Sequence, residues 1–115
     1  MNPLFPDDDV MVASFDFDGV LAEPVWPDPG IGEPIPAGLD LMMQYFRRGY
    51  RIIVFTSRHW ASHDELVEWL HRMVGSTVSQ VVCGKPLASV YVDDRALRFP
   101  LDSQEEIRDI ARRYR

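Results

Sequence analysis

Lysine and cysteine each occur only once in this chain of 115 residues, as Lys85 and Cys83. A single cysteine excludes an internal disulfide, and no Cys/His cluster with the spacing of a zinc site is present. This cysteine usage is typical of a reducing compartment, so we expect a cytoplasmic protein. The other basic residues are all arginine, which makes the lone lysine a feature to explain.

The chain also lacks excess positive charge and long apolar runs. Its net charge of −6 disfavours polynucleotides and anionic membranes as partners. No apolar run approaches the roughly 20 residues of a transmembrane helix. The first nine residues have neither the basic segment nor the apolar stretch of a secretory signal. We therefore expect a small-molecule ligand, with nucleic acid as the less favoured partner and no membrane.

The length fits a single domain, spanning 1–115, that can bury a core of its own. Residues 1–9 are expected to be a loosely ordered lead-in. Residues 22–36 contain five of the nine prolines, which indicates a flap loop rather than a linker between domains.

Short apolar runs alternate with amphipathic stretches along the chain. Four runs have the composition of buried strands: 10–15, 51–56, 78–83 and 90–92. Three stretches have apolar residues at helical spacing: Leu39, Met42, Met43 and Phe46; Leu66, Leu70, Met73 and Val74; and Ile107, Ile110, Ala111 and Tyr114. Ser62 with Glu65, and Ser103 with Glu106, have the spacing of capping boxes. The alternation predicts an α/β fold, a three-layer Rossmann-like sandwich with a mostly parallel sheet.

Polar side chains follow the predicted strands at their carboxyl ends. They are Asp16 and Asp18 after the first strand, Thr56, Ser57 and Arg58 after the second, Lys85 after the third, and Asp93 and Asp94 after the fourth. In open α/β sheets, ligands bind beyond these strand ends. We therefore expect these side chains to meet at one edge of the sheet.

Four clustered carboxylates require a cation between them. Mg²⁺ is a hard ion that is commonly held by carboxylates, water and substrate phosphate. A lysine ammonium can hold a phosphate oxygen as a point charge, and a threonine hydroxyl can donate to another. The set therefore predicts a phosphoryl-transfer site with Mg²⁺ as its cofactor.

Four segments of the chain also resemble the motifs of the haloacid dehalogenase (HAD) superfamily. In chain order they are Phe15-Asp16-Phe17-Asp18-Gly19-Val20-Leu21, Phe55-Thr56-Ser57-Arg58, Lys85-Pro86 and Val90-Tyr91-Val92-Asp93-Asp94. The order of the motifs and their place after predicted strands are similar too. The resemblance spans residues 15–94.

The resemblance implies a phosphatase in which Asp16 attacks phosphorus and forms an aspartyl-phosphate. Asp18 would be the general acid for the leaving group and then the base for the hydrolytic water. Thr56 and Lys85 would bind phosphoryl oxygens, and Ser57 is a further candidate contact.

The same resemblance implies the metal ligands. Asp93 would bind Mg²⁺ together with Asp16 and the backbone carbonyl of Asp18, and Asp94 would help directly or through water. Gly19 would permit the sharp turn after the first strand.

Members of this superfamily carry specificity caps after the first motif or between the second and third. In this chain, residues 22–36 have room for a flap only, and residues 57–85 are filled by one helix and one strand. The resemblance therefore implies a minimal member without a cap. Such proteins act on large or exposed phosphate groups, or close their site with a neighbouring subunit, so a homo-oligomer is one expected partner.

Structural explanations exist for each candidate residue. The first two carboxylates could form a turn, the two hydroxyl residues could cap one, and Lys85 could be an ordinary solvated lysine. Asp94 could cap a turn or form a salt bridge with Arg95 or Arg58. All four motifs in order favour the functional interpretation.

The aromatic residues near the motifs leave two alternatives open. Arg58 and His59 could face the leaving group, and Trp26 and Trp60 could form a wall for a base or a sugar. Alternatively, both tryptophans cover the edge of the sheet.

Three other functions compete with a phosphohydrolase. One is a phosphotransferase or a polynucleotide-end phosphatase. Another is a receiver-type domain, which also places Asp, Thr/Ser and Lys around Mg²⁺ but with the lysine last. The third is a non-catalytic interaction module. The Asp-x-Asp after the first strand and the position of Lys85 before the last acidic pair favour the hydrolase.

Overall fold

Residues 10–26 and 28–100 are described by the computed structural model. Three strands form one sheet in the order β1-β2-β3, with all neighbours parallel: β1 Val12–Phe15, β2 Arg51–Phe55 and β3 Val78–Val82. Helix α1, Pro36–Arg47, joins the first two strands. A 3₁₀ turn, Trp60–Ser62, and helix α2, His63–Val74, join the last two. The predicted α/β class and parallel sheet are confirmed.

One face of the sheet carries the core. Phe15 pairs in register with Val54, and Val54 with Val81, so the three side chains share a face, and all three are buried. The Phe15 ring contacts Tyr45 of α1 edge-on, with 6.0 Å between centroids. Both crossovers run the same way across the sheet, so right-handed connections place both helices on this face. The described residues therefore form two layers, and the predicted helix at 107–114 and lead-in at 1–9 lie outside them.

The first turn of α1 packs directly on the loop after β1. A Cβ added to Gly38 would lie 1.7 Å from the carbonyl oxygen of Val20, so only glycine permits this approach. Ile35 reinforces the contact, because its backbone N–H donates to the carbonyl of Leu21 at 2.9 Å. The helix thus fixes the position of the loop that carries the first motif.

The start of α2 differs from the predicted capping box. Ser62 makes no side-chain capping hydrogen bond, because it ends the 3₁₀ turn with helical backbone angles, whereas a capping residue needs an extended backbone. His59 caps the 3₁₀ turn instead, its Nδ1 accepting from the N–H of Ala61 at 3.0 Å. Gly75 ends the helix with a positive φ.

The buried residues of both helices overlap only partly with the predicted apolar faces. In α1 they include Leu41, Met42 and Tyr45, while Phe46 is 42% exposed. In α2 the buried residues are Leu66, Trp69 and Leu70, and Met73 in the last turn is 41% exposed. Tyr45, rather than Phe46, lies on the buried face of α1, where its ring contacts both Phe15 and Tyr50.

The predicted fourth strand at 90–92 is wrong. Residues 83–100 contain no strand or helix, and Val92 is 97% exposed. Only 83–89 separate β3 from this run, fewer than the dozen or so residues that a parallel crossover needs. Among the described helices, none is long and apolar enough to cross a membrane.

Candidate active site

The carboxyl ends of β1, β2 and β3 meet at one edge of the sheet. After β2, the backbone N–H of Thr56 donates to the carbonyl of Val82 at 2.9 Å, and the Thr56 carbonyl accepts from the N–H of Lys85 at 2.9 Å. The N–H of Gly84 donates to the carbonyl of Arg58 at 3.0 Å. Backbone hydrogen bonds therefore hold the second and third motifs together.

Asp16 stands at this edge beside the lone lysine. Its Oδ2 lies 3.5 Å from Nζ of Lys85, and its Oδ1 accepts from the backbone N–H of Phe17 at 2.8 Å. The Asp16 side chain is 40% exposed, whereas Lys85 is 19% exposed. The arrangement presents to solvent a fixed carboxylate with a cation against one of its oxygens.

The other carboxylate of the first motif is held by an arginine. Nε of Arg58 donates to Oδ2 of Asp18 at 2.9 Å, and Nη2 donates to Oδ1 at 2.8 Å. The exposed fractions of these side chains are 3% and 16%. The hydrogen bond to Asp18 raises the pKa of Arg58 above its ordinary value and outweighs the opposing effect of burial. Asp18 is thus fixed by a bidentate, nearly buried ion pair.

Arg58 also reaches the flap. Its Nη1 donates to the carbonyl of Gly30 at 2.8 Å, and its guanidinium lies over the ring of Phe17, with 5.5 Å to the centroid. The whole residue is 2% exposed. The position of Arg58 in the second motif predicts a substrate contact. In the structure, its guanidinium lies between the first motif and the flap.

Thr56 is buried at the turn after β2. It is 1% exposed, and its Oγ1 accepts from the backbone N–H of Arg58 at 3.1 Å. The hydroxyl retains its own proton as a donor. Ser57 is half-buried in the same turn.

Among the described residues, the acidic pair of the fourth motif does not complete a metal-binding group with the other three motifs. Asp93 and Asp94 are exposed, and Oδ1 of Asp93 accepts from the backbone N–H of Arg95 at 2.7 Å. Within 10–26 and 28–100, no group of three or more His, Cys, Asp or Glu side chains is close enough to hold a metal ion. The structure brings Asp16, Asp18 and the second and third motifs together, and it does not add the last acidic pair.

Two features of the site have little signal in the sequence. Nζ of Lys85 lies over the ring of Tyr91, with 4.2 Å to the centroid, and the Tyr91 hydroxyl donates to the carbonyl of Pro86. Cys83, one residue before the turn, is buried, and its burial raises the pKa of the thiol. Tyr91 belongs to the fourth motif, but nothing in the sequence indicates its contact with Lys85.

A stacked aromatic pair lies beside Gly84, the residue that precedes Lys85. The rings of Trp60 and His63 stack with 5.5 Å between centroids and 28° between planes. Trp60 is 54% exposed, while Trp26 in the flap is half-buried. The ring of His59 accepts from the backbone N–H of Ala61, which gives this histidine a structural contact.

Comparison with known proteins reveals a similarity of fold. The chain matches no protein-family model and no curated protein. A solved structure of a conserved protein from Bacteroides thetaiotaomicron is similar to it, with a TM-score of 0.58 and 23% identity over 93% of each chain. At this identity the likeness establishes a shared fold across nearly the whole chain, consistent with the α/β architecture.

Proposed function

We propose that this protein is a Mg²⁺-dependent phosphohydrolase of the HAD type that acts on a phosphomonoester through an aspartyl-phosphate on Asp16. The observation that carries the proposal is the pair of Asp16 and Lys85 at the carboxyl edge of a parallel sheet. One carboxylate oxygen is held by a backbone N–H, and the other lies 3.5 Å from the lysine ammonium.

In the first step, an oxygen of Asp16 forms a bond to phosphorus and the ester oxygen of the substrate leaves. A partly exposed carboxylate can make this attack because substrate can reach it. Lys85 offsets the negative charge of the nucleophile and of the incoming phosphoryl group, which lowers their repulsion. Water then cleaves the acyl phosphate and restores the carboxylate.

Asp18 moves the protons in both steps. In its protonated form, Asp18 donates a proton to the leaving ester oxygen. The resulting carboxylate, paired with Arg58, then accepts a proton from the attacking water, which restores the starting form. The bidentate contact with Arg58 uses one lone pair of each Asp18 oxygen, and a carboxylate retains a second lone pair on each oxygen for the proton. Arg58 is therefore a positioning residue that orients the carboxyl group.

The chemistry of the proposed donors suits Mg²⁺ once Asp93 and Asp94 are brought to Asp16. Asp16, Asp93 and Asp94 offer exposed carboxylate oxygens, the hard ligands that this ion prefers. With the backbone carbonyl of Asp18, these residues would hold it, and bound Mg²⁺ would neutralise charge on the phosphoryl oxygens.

Contacts of the fourth motif with the lysine support this ligand set. Tyr91 contacts Lys85, and Asp93 lies two residues further on. Two extended residues span about 7 Å, so a movement of the segment would bring the Asp93 carboxylate to the first motif. We propose that segment 87–94 settles against the site when the metal binds.

We further propose the complete three-layer fold of the family for the single domain. Flap 22–36 takes the place of a cap, and a second subunit is the expected means of closing the site further.

Hydrolysis of p-nitrophenyl phosphate tests the proposal. We expect activity with Mg²⁺, its loss in EDTA and its return when Mg²⁺ is restored. Asp16→Asn should lower kcat by at least about 10³-fold, while Asp40→Asn on the exposed side of α1 should leave it unchanged. Normal turnover by Asp16→Asn, with unaltered folding, would contradict the mechanism.

A further inference from the structure

We propose that Trp60, supported by His63, is a stacking platform for a planar leaving group. The substrate class is then a phosphomonoester whose leaving group carries an aromatic ring, as a nucleoside monophosphate does. This inference rests on the proposed function, because it places the ring relative to a phosphoryl group at Asp16 and Lys85.

The geometry of the indole leaves one face open. One face stacks on the imidazole of His63. The Nε1 edge lies against Gly84, where an added Cβ would be 3.6 Å from Nε1. Trp60 is nevertheless 54% exposed, so its free surface is mainly the face opposite His63. A flat ring can stack there in the offset manner that aromatic pairs favour.

The platform is held in place before any ligand binds. The 3₁₀ turn Trp60–Ser62 is closed by two contacts with His59, one from the N–H of Ala61 at 3.0 Å and one from the N–H of Ser62 at 2.9 Å. Little conformational freedom is lost when a rigid side chain receives a ligand, which favours binding.

The platform lies next to the phosphate end of the site. Gly84 lies beside Trp60 and directly precedes Lys85, whose ammonium is 3.5 Å from Asp16. A phosphoryl group at this pair has its ester oxygen directed away from Asp16, since attack and departure are in line. The ring of Tyr91 also lies near this point, but the Lys85 ammonium occupies one of its faces. The exposed indole of Trp60 is the surface that we assign to the leaving group. The net charge of −6 favours a mononucleotide over a polynucleotide.

The test compares adenosine monophosphate with ribose 5-phosphate, which lacks the ring. Trp60→Ala should lower kcat/KM for adenosine monophosphate roughly tenfold, mainly through KM, and leave ribose 5-phosphate unchanged. Trp60→Phe should retain most of the preference. Phe46→Ala removes an aromatic ring of similar exposure at the end of α1, and it should alter neither substrate. An equal effect on both substrates, or no effect on either, would overturn the platform.

Binding separates this inference from the phosphatase proposal. Adenosine monophosphate can be titrated by calorimetry into Asp16→Asn and into Asp16→Asn/Trp60→Ala, with no turnover. Weaker binding of adenosine monophosphate by the double variant supports the platform. This holds even if the wild type hydrolyses no substrate, because lack of hydrolysis would refute only the proposed phosphatase activity. Equal binding by the two variants would refute the platform, whatever the activity of the wild type.

Discussion

The strand-end turns and segment 87–94 contribute to the same proposed site but are held very differently. The turns after β1 and β2 are fixed by backbone hydrogen bonds and by the buried pair of Arg58 and Asp18. Segment 87–94 has no regular structure, and its described contacts with the site centre on Tyr91. The comparison teaches that the fold positions Asp16 and Lys85, whereas the last acidic pair lies on a segment without regular structure.

Of the substitutions that test this comparison, that of Lys85, which the fold holds against Asp16, should have the largest effect. Lys85→Arg should lower kcat/KM about 10²-fold, nearly as much as Lys85→Ala. A planar guanidinium cannot replace a compact ammonium that lies between Asp16 and the ring of Tyr91. Steady-state kinetics on p-nitrophenyl phosphate measures it. Activity like that of the wild type in the arginine variant would show that the lysine is not fixed by its surroundings.

Arg58 tests the rigidity of the strand-end turns. Arg58→Ala should reduce the free energy of unfolding by about 3 kcal/mol, because it leaves Asp18 nearly buried without its partner. Urea denaturation measures this change. Arg72→Ala is the control, since its pair with Glu68 is exposed and contributes less than about 0.5 kcal/mol. Equal effects of the two substitutions would show that the Arg58 contacts do not hold the site.

Substitution of Val92 tests whether segment 87–94 is loosely held, and it should have the smallest effect on the free energy of unfolding. Without metal, Val92→Ala should change the free energy of unfolding by less than about 0.5 kcal/mol, because the side chain is 97% exposed. Ile52→Ala, at a fully buried position in β2, should cost about 3 kcal/mol. A large loss at Val92 in metal-free protein would mean that segment 87–94 is already packed in solution.

Local patterns in the sequence predict most of the elements and the first three motifs. Apolar runs located the three strands, and helical spacing located α1 and α2. These features depend on neighbours a few residues away. The convergence of Asp16, Thr56 and Lys85 followed from the general rule that parallel strands share a carboxyl edge.

Contacts between residues that are far apart in the chain could not be predicted from the sequence. Arg58 pairs with Asp18 forty positions away, and Gly38 is required by a carbonyl at Val20, a contact that no periodicity reveals. The strand predicted at 90–92 was wrong because composition alone does not show whether a neighbouring strand and a long enough connection exist.

Transfer of phosphate to Asp16 is the most direct test of the central claim. The wild-type protein is mixed with a ³²P-labelled phosphomonoester and Mg²⁺, quenched in acid during turnover, and assayed for label on the protein. The account predicts a label that survives acid and is released by hydroxylamine, as expected of an acyl phosphate, and that is absent from Asp16→Asn. Turnover without labelled wild-type protein, or an equal label on Asp16→Asn, would contradict it.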